Sequence, residues 1–314
     1  GVEPQSETVW RQADRYHVPR LAFINKMDLP GADFEGVLQQ MQKRLAAHPV
    51  ALQIPYGAEE FHQGVIDLIG VRAIVWDENG RRETDIPEEL QAEAGMFRSK
   101  MLEILAEFDE DLFNKYFEAP DTIQPADVRR AVRRATLTRQ IVPVFCGSAY
   151  KNKGVEPLLG GVCDYLPAPT DVGSVKGKHP RTGEPESRPL SDEAPFAALV
   201  FKIALDEQHR KLAFFRVYSG QAKRGQSVWA PRTQQKERLS NLYQLNGGKR
   251  NAVWEIAAGD IAALGGVKDI MTGDTLCDPD APILLESIQF PEPVIGMVIE
   301  AKHSRDLDSM QEAL

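Results

Sequence analysis

The chain has 314 residues, of which 42% are hydrophobic and 26% charged, with 37 Lys and Arg against 46 Asp and Glu for a net charge of −9. Such a length exceeds one ordinary domain and predicts two or three cores. The acidic balance argues against a general nucleic-acid coat while leaving room for a basic face on one domain. No apolar run approaches the length that spans a bilayer, so no membrane association is expected. Cys146, Cys163 and Cys277 lie too far apart for metal-ligand spacing. They are expected to be buried, reduced thiols of a cytoplasmic protein, with no metal site.

The opening GVEPQSETVWRQADRY has the pattern of neither a signal nor a transit peptide, and without an initiating Met it is expected to begin inside a longer protein. Val9, Trp10, Ala13 and Tyr16 fall near helical spacing over residues 6–17, with Ser6 as N-cap. An apolar strand follows at 21–24, then the loop Asn25-Lys26-Met27-Asp28, then a helix near 33–47. A second apolar run, 141–145, ends in Cys146-Gly147-Ser148-Ala149 and precedes a helix over 154–166. Strand, loop and helix in this order predict an α/β domain with parallel strands. Between the two runs, 50–76 reads as short strands and 87–118 and 124–138 as helices, a small α+β subdomain inserted in the first. Residues 169–193 are rich in Pro, Gly and Ser and read as a linker. From Ala194 short β runs alternate with Gly turns, which predicts a β-barrel or sandwich. FPEPVIGMVIEAK then turns toward strand and helix.

Four polar or long side chains at the mouth of a buried strand make sense if they hold something, because ligands bind where parallel strands end. The Asp28 carboxylate suits the N1–H and N2–H₂ of guanine, a donor pair that adenine lacks. A bidentate contact of this kind discriminates by about 1–3 kcal/mol, and a closed pocket built around it rejects the wrong base more strongly. Asn25 spans the purine edge and nearby backbone, and the Lys26 stem lies against the base. At the second strand end, small residues through Ser148, Ala149 and Tyr150 let backbone N–H groups approach guanine O6.

GVEPQSETVWRQADRYHVPRLAFINKMDLPGADF and CGSAYKNKGVEPLL resemble the back half of the GTP-binding domain of the elongation factor G family of translational GTPases. NKMD is similar to the fourth guanine-nucleotide motif of GTPases and GSA to the fifth. PYGAEEFHQGVIDLI resembles the insert of that family, RVYSGQAKRGQSV and AGDIAALGGVKDIMTGDTL its second-domain barrel, and FPEPVIGMVIEAK the start of its third domain.

The resemblance implies a multidomain α/β plus β-barrel architecture: a partial P-loop-GTPase α/β domain at 1–48 and 141–168, and an inserted α+β subdomain at 49–140. A linker at 169–193, a translation-factor β-barrel at 194–288 and the start of an α+β domain at 289–314 follow. It implies GTP or GDP held by Asn25, Lys26, Asp28, Ser148, Ala149 and Tyr150, with Mg²⁺ only in the full-length protein. It implies a monomer that meets the ribosome and, through it, tRNA and mRNA. Paralogues acting in recycling, peptide release or ribosomal protection, and a truncated ribosome-binding module without nucleotide, are the rival readings.

The chain also departs from the family. A P-loop, G-x-x-x-x-G-K-[ST], is absent from these residues, as is a counterpart of the switch region. No catalytic residue is therefore expected, and these residues alone are expected not to hydrolyse GTP. His209-Arg210-Lys211-Leu212 replaces the family's Gly-Arg-Leu run, and GGKRNAVWE its His-Ala-Asn run. The six histidines read as surface or capping residues, and Glu59-Glu60 and Glu88-Glu89 as solvated. Arg129-Arg130 and Arg133-Arg134 form a basic stripe, and Lys223, Arg224, Arg232, Lys236 and Arg238 a basic cluster on the barrel that suits an RNA backbone.

Overall fold

The computed structural model describes residues 1–285 apart from 79, 206–209, 247–248 and 268, together with 300 and 303. The chain divides into two compact units, Gly1–Asp171 and Val172–Leu314.

The first unit opens with α1 (Pro4–Arg15), whose N-terminal boundary is Glu3 with no side-chain cap. Pro at the first turn forfeits no helical hydrogen bond, so the helix starts there and Ser6 lies inside it instead of capping it. Strand β1 (Ala22–Ile24) leads to α2 (Phe34–Leu45), which Asp33 caps by accepting from Gly36 N at 2.8 Å. β2 (Pro49–Ala51) comes next, followed by β3 (Gln53–Tyr56), β4 (Gly64–Asp67), β5 (Arg72–Asp77) and β6 (Gly80–Thr84). Three helices, α3 (Glu88–Ala106), α4 (Glu110–Glu118) and α5 (Pro125–Leu137), precede β7 (Val142–Cys146) and α6 (Val155–Tyr165).

The parallel sheet has the order β1-β7-β2. β7 is buried along its whole length, which explains why it reads as continuous apolar residues and not as an alternation. β2 was expected to open the inserted subdomain. It belongs instead to the parallel sheet, pairing Val50 with Pro143, because Pro49, Val50 and Ala51 are all buried beside β7. The insert's own antiparallel sheet runs β3-β4-β5-β6. Its strands and helices share one apolar core with the parallel sheet: Ile54, Val65, Leu105, Leu112 and Val128 join Val50, Val144 and Phe145.

The expected linker holds structure. It contains α7 (Pro169–Val172) and an antiparallel hairpin of β8 (Ser174–Lys178) and β9 (Pro185–Pro189). This hairpin buries little of either strand beyond Arg188, so its composition resembles that of a loop.

The second unit continues with β10 (Ala197–Leu205), β11 (Lys211–Ser219), β12 (Ala222–Lys223), β13 (Ser227–Ala230), β14 (Gln235–Arg238) and β15 (Asn241–Asn246). Then come β16 (Lys249–Ala252), β17 (Glu255–Ile256), β18 (Ile261–Gly265), β19 (Thr275–Cys277) and β20 (Leu284–Leu285). Eight of these form one antiparallel sheet, β14-β13-β19-β10-β11-β18-β15-β16, while β12 pairs with β17 and β20 with β8. Phe215, Val217, Val228, Leu242, Ile256 and Leu264, from five strands, meet in a single core, as expected of a barrel-like sheet that turns one face inward. Residues 206–209, which include His209 of the departing run, lie outside the described residues, as do 247–248 and nearly all of 289–314.

Candidate functional site

β1 and β7 run in register, Ile24 beside Cys146, so both loops leave the same end of the sheet. The pairing extends past the strands: Gly147 N donates to Ile24 O, and Met27 N to Gly147 O, both at 3.1 Å. Gly147 is required here by close approach, since a Cβ would lie 2.2 Å from Lys153 O. Asn25 Oδ1 accepts from Ala149 N at 2.9 Å, joining two loops 124 residues apart. The amide expected to face a base oxygen therefore already has a partner in Asn25.

Asp28 is buried, at 9% exposure. The Ser148 hydroxyl, by donating to it, holds its carboxyl below the ordinary value of 3.8, and Lys151 adds to that shift with Nζ 3.6 Å away, while burial opposes it. Asp28 is thus ionised and an acceptor only at neutral pH. Ser148 is fully buried, and its hydroxyl also accepts from Lys151 N at 3.2 Å. Ser148 and Lys153 exchange both backbone hydrogen bonds at 2.9 Å, which closes the second loop on itself.

The remaining predicted residues sit differently. Lys26 takes a left-handed φ of +64°, a conformation that costs a non-glycine residue and recurs at ligand sites. It lines a groove of about 750 Å³ along β1, with Asn25, Phe23 and Trp10. The Tyr150 side chain is 95% exposed.

Three residues, His62, Lys153 and Glu59, escaped the sequence reading. His62, expected at the surface, is buried at 1% exposure. Its carbonyl accepts from Lys153 Nζ at 2.8 Å. Glu59 is exposed, as expected, and also accepts at Oε1 from Gly31 N at 2.8 Å. Nothing in their local spacing signals these ties, because the partners lie 91 and 28 residues apart.

Other candidates resolve into structure. The basic stripe of α5 is met by this unit's own acids: Arg130 by Asp127 at 3.3 Å and by Asp109 and Asp111 at 3.5 Å, and Arg133 by Asp171 at 2.7 Å. On the barrel, Arg232 pairs with Asp274 at 2.5 Å and Lys223 with Glu255 at 3.8 Å. Arg224 and Arg238 donate to the carbonyls of Ser240 and Gly225. Cys146 and Cys277 are buried free thiols as expected, but Cys163 is exposed. Among the described residues no cluster of His, Cys, Asp or Glu has metal-site geometry, and no helix is long and apolar enough to cross a membrane.

The family model described as Elongation factor Tu GTP binding domain matches residues 1–168, and that described as Elongation factor G domain 2 matches 195–279. Elongation factor G of Karelsulcia muelleri (strain GWSS) is 48% identical over 318 residues, covering 100% of this chain and 46% of that protein. A crystal structure from Thermus thermophilus superposes with a TM-score of 0.81 at 25% identity, over 100% of this chain and 44% of that one. The chain thus spans about half the length of the relatives it matches. The motifs at the ends of β1 and β7 and the barrel that follows have one common explanation: the chain belongs to the elongation factor Tu GTP-binding domain family and is a homologue of elongation factor G.

Proposed function

We propose that the loops after β1 and β7 form the guanine-reading half of a GTP or GDP site. The observation that carries this reading is the Asn25–Ala149 hydrogen bond at 2.9 Å, which draws the two motifs together beside an ionised, buried Asp28. Asp28 would accept from guanine N1–H and N2–H₂. Ser148 and Lys151 keep it charged and aimed. A base oxygen at O6 would share the Ala149 donor with Asn25, while the left-handed turn at Lys26 presents that side chain's stem along the base. Adenine offers no such donor pair and would leave part of a buried carboxylate unsatisfied, which is the physical basis of rejection. The Tyr150 backbone, not its ring, completes the loop.

The nucleotide's phosphates and Mg²⁺ carry the hydrolytic chemistry in GTPases, and the residues that would hold them are not among these 314. The whole protein is a GTP hydrolase that acts on the ribosome, a cytoplasmic monomer promoting tRNA–mRNA translocation. The barrel and the inserted segment supply surfaces toward the ribosome, with Lys236 among the barrel cations. These residues alone turn over no GTP and bind guanine nucleotide weakly, because most phosphate contacts are missing.

Titration of the chain with guanosine and adenosine monophosphates, read calorimetrically, tests the pocket. Weak guanosine binding that Asp28→Ala abolishes is expected. Equal affinity for both bases, or tight GTP binding with turnover, contradicts the reading.

A further inference from the structure

The loop between β3 and β4, residues 57–63, touches both base-reading loops. On one side Glu59 N donates to Met27 O at 3.1 Å, and Glu59 Oε1 accepts from Gly31 N at 2.8 Å, so two bonds bracket Asp28. On the other side Lys153, whose backbone is paired with Ser148, donates through Nζ to His62 O at 2.8 Å. Turning a hairpin demands none of this, since Gln63 N to Tyr56 O at 2.8 Å already closes it.

The loop adopts costly backbone to reach both sides. Glu59 sits at a φ of +53° and Gly57 at +79°, where a Cβ would lie 2.1 Å from Phe61 O. The His62 imidazole is buried, and the charges of Asp28, Lys151 and Lys153 act on it.

We infer that loop 57–63 is a brace that sets the spacing between the two base-reading loops, with Glu59 and Lys153 as positioning residues, so that the inserted segment controls how strictly guanine is selected. The inference rests on the guanine reading above. A bidentate contact tolerates errors of only a few tenths of an ångström. Releasing Gly31 frees the turn that carries Asp28, and releasing Lys153 frees the turn that carries Ala149. The comparison most sensitive to such drift is with the base that differs from guanine by a single donor: inosine lacks the 2-amino group and needs only one of the two Asp28 bonds, so drift weakens guanosine more.

The test combines amide hydrogen exchange in the nucleotide-free chain with guanosine and inosine titrations, using Glu59→Ala, Glu59→Gln, Lys153→Met and Asp28→Ala. In Glu59→Ala the Ala149 amide, on the opposite loop, exchanges about tenfold faster, and the guanosine-to-inosine affinity ratio falls about threefold. Lys153→Met does the same. Glu59→Gln keeps an Oε1 acceptor and restores both. If Ala149 exchange is unchanged in Glu59→Ala and Lys153→Met, the brace is overturned, whatever the bases do. A lower melting temperature with an unaltered base ratio makes these residues merely structural and overturns it too. Asp28→Ala binding guanosine as the parent does would instead overturn the pocket reading, and the exchange arm would still decide the brace.

Discussion

The two units place their polar ties in different settings. In the first, side chains at the strand ends are tied across large sequence distances: Asn25 to Ala149, Lys153 to His62, Gly31 to Glu59. In the second, antiparallel strands close a core around Phe215 and Leu264, and its cations bond acids and carbonyls of the same unit, as Arg232 does with Asp274. A parallel sheet leaves its loops fanned out at one end, where they converge only through long-range hydrogen bonds. An antiparallel sheet returns the chain to itself at each turn. The first arrangement leaves loop ends where a site can form, and the second closes its turns on the sheet itself.

The contrast is most exposed by removing apolar volume from the barrel. Phe215 is fully buried, so Phe215→Ala costs about 3–5 kcal/mol in urea unfolding. It should leave base selection in the first unit untouched. A cost under about 1 kcal/mol would mean the barrel core is not packed as described.

Asp28→Ala has the reverse profile. It costs about 1–3 kcal/mol in guanosine binding, a fivefold to hundredfold loss. Asp28→Asn sharpens this, because replacing one acceptor with a donor suits a base carrying a carbonyl at C2. Xanthosine should then overtake guanosine in competition binding. A variant that keeps preferring guanosine contradicts the role given to Asp28.

Asp127 tests the helical side of the first unit at about 1 kcal/mol. Its carboxylate accepts from Gln124 N at 3.0 Å at the start of α5 and from Lys115 Nζ at 2.7 Å. The Lys115 bond, with Gln124 second, lowers its pKa below 3.8. A lowered acid contributes stability above its unfolded value and loses it as pH falls through the folded one. The deficit of Asp127→Ala in thermal unfolding should therefore be full at pH 7 and fade in strong acid. A deficit that grows in acid is the wrong sign.

The smallest effect belongs to His62. Burial pushes its pKa below 6.5; Lys153 and Lys151 add to this, and the Gly57 backbone and Asp28 oppose it. The unfolded chain takes up this proton first, so the folded state loses ground as pH falls through about 6.5. His62→Gln should flatten the melting-temperature slope between pH 7 and 5. An unchanged slope would remove His62 from that balance.

Much of this was legible in the sequence for a physical reason. The apolar runs 21–24 and 141–145 are short and stop abruptly, which marks parallel strands, although only the second is buried along its whole length. β2 was misassigned because three buried residues, Pro49 to Ala51, carry no periodicity that distinguishes one sheet from another. The β8–β9 hairpin was hidden by Pro and Gly, since a strand pair that buries little has no apolar signature. His62 and Glu59 were missed because their roles depend on partners elsewhere in the chain, which residue type does not encode.

The most direct measurement is the set of backbone amide shifts of the chain on adding guanosine monophosphate, with adenosine monophosphate as the comparison. The account predicts movement concentrated at 25–29 and 147–151 with guanosine alone, Ala149 among the largest. Equal responses to both nucleotides, or movement confined to the barrel, would contradict it.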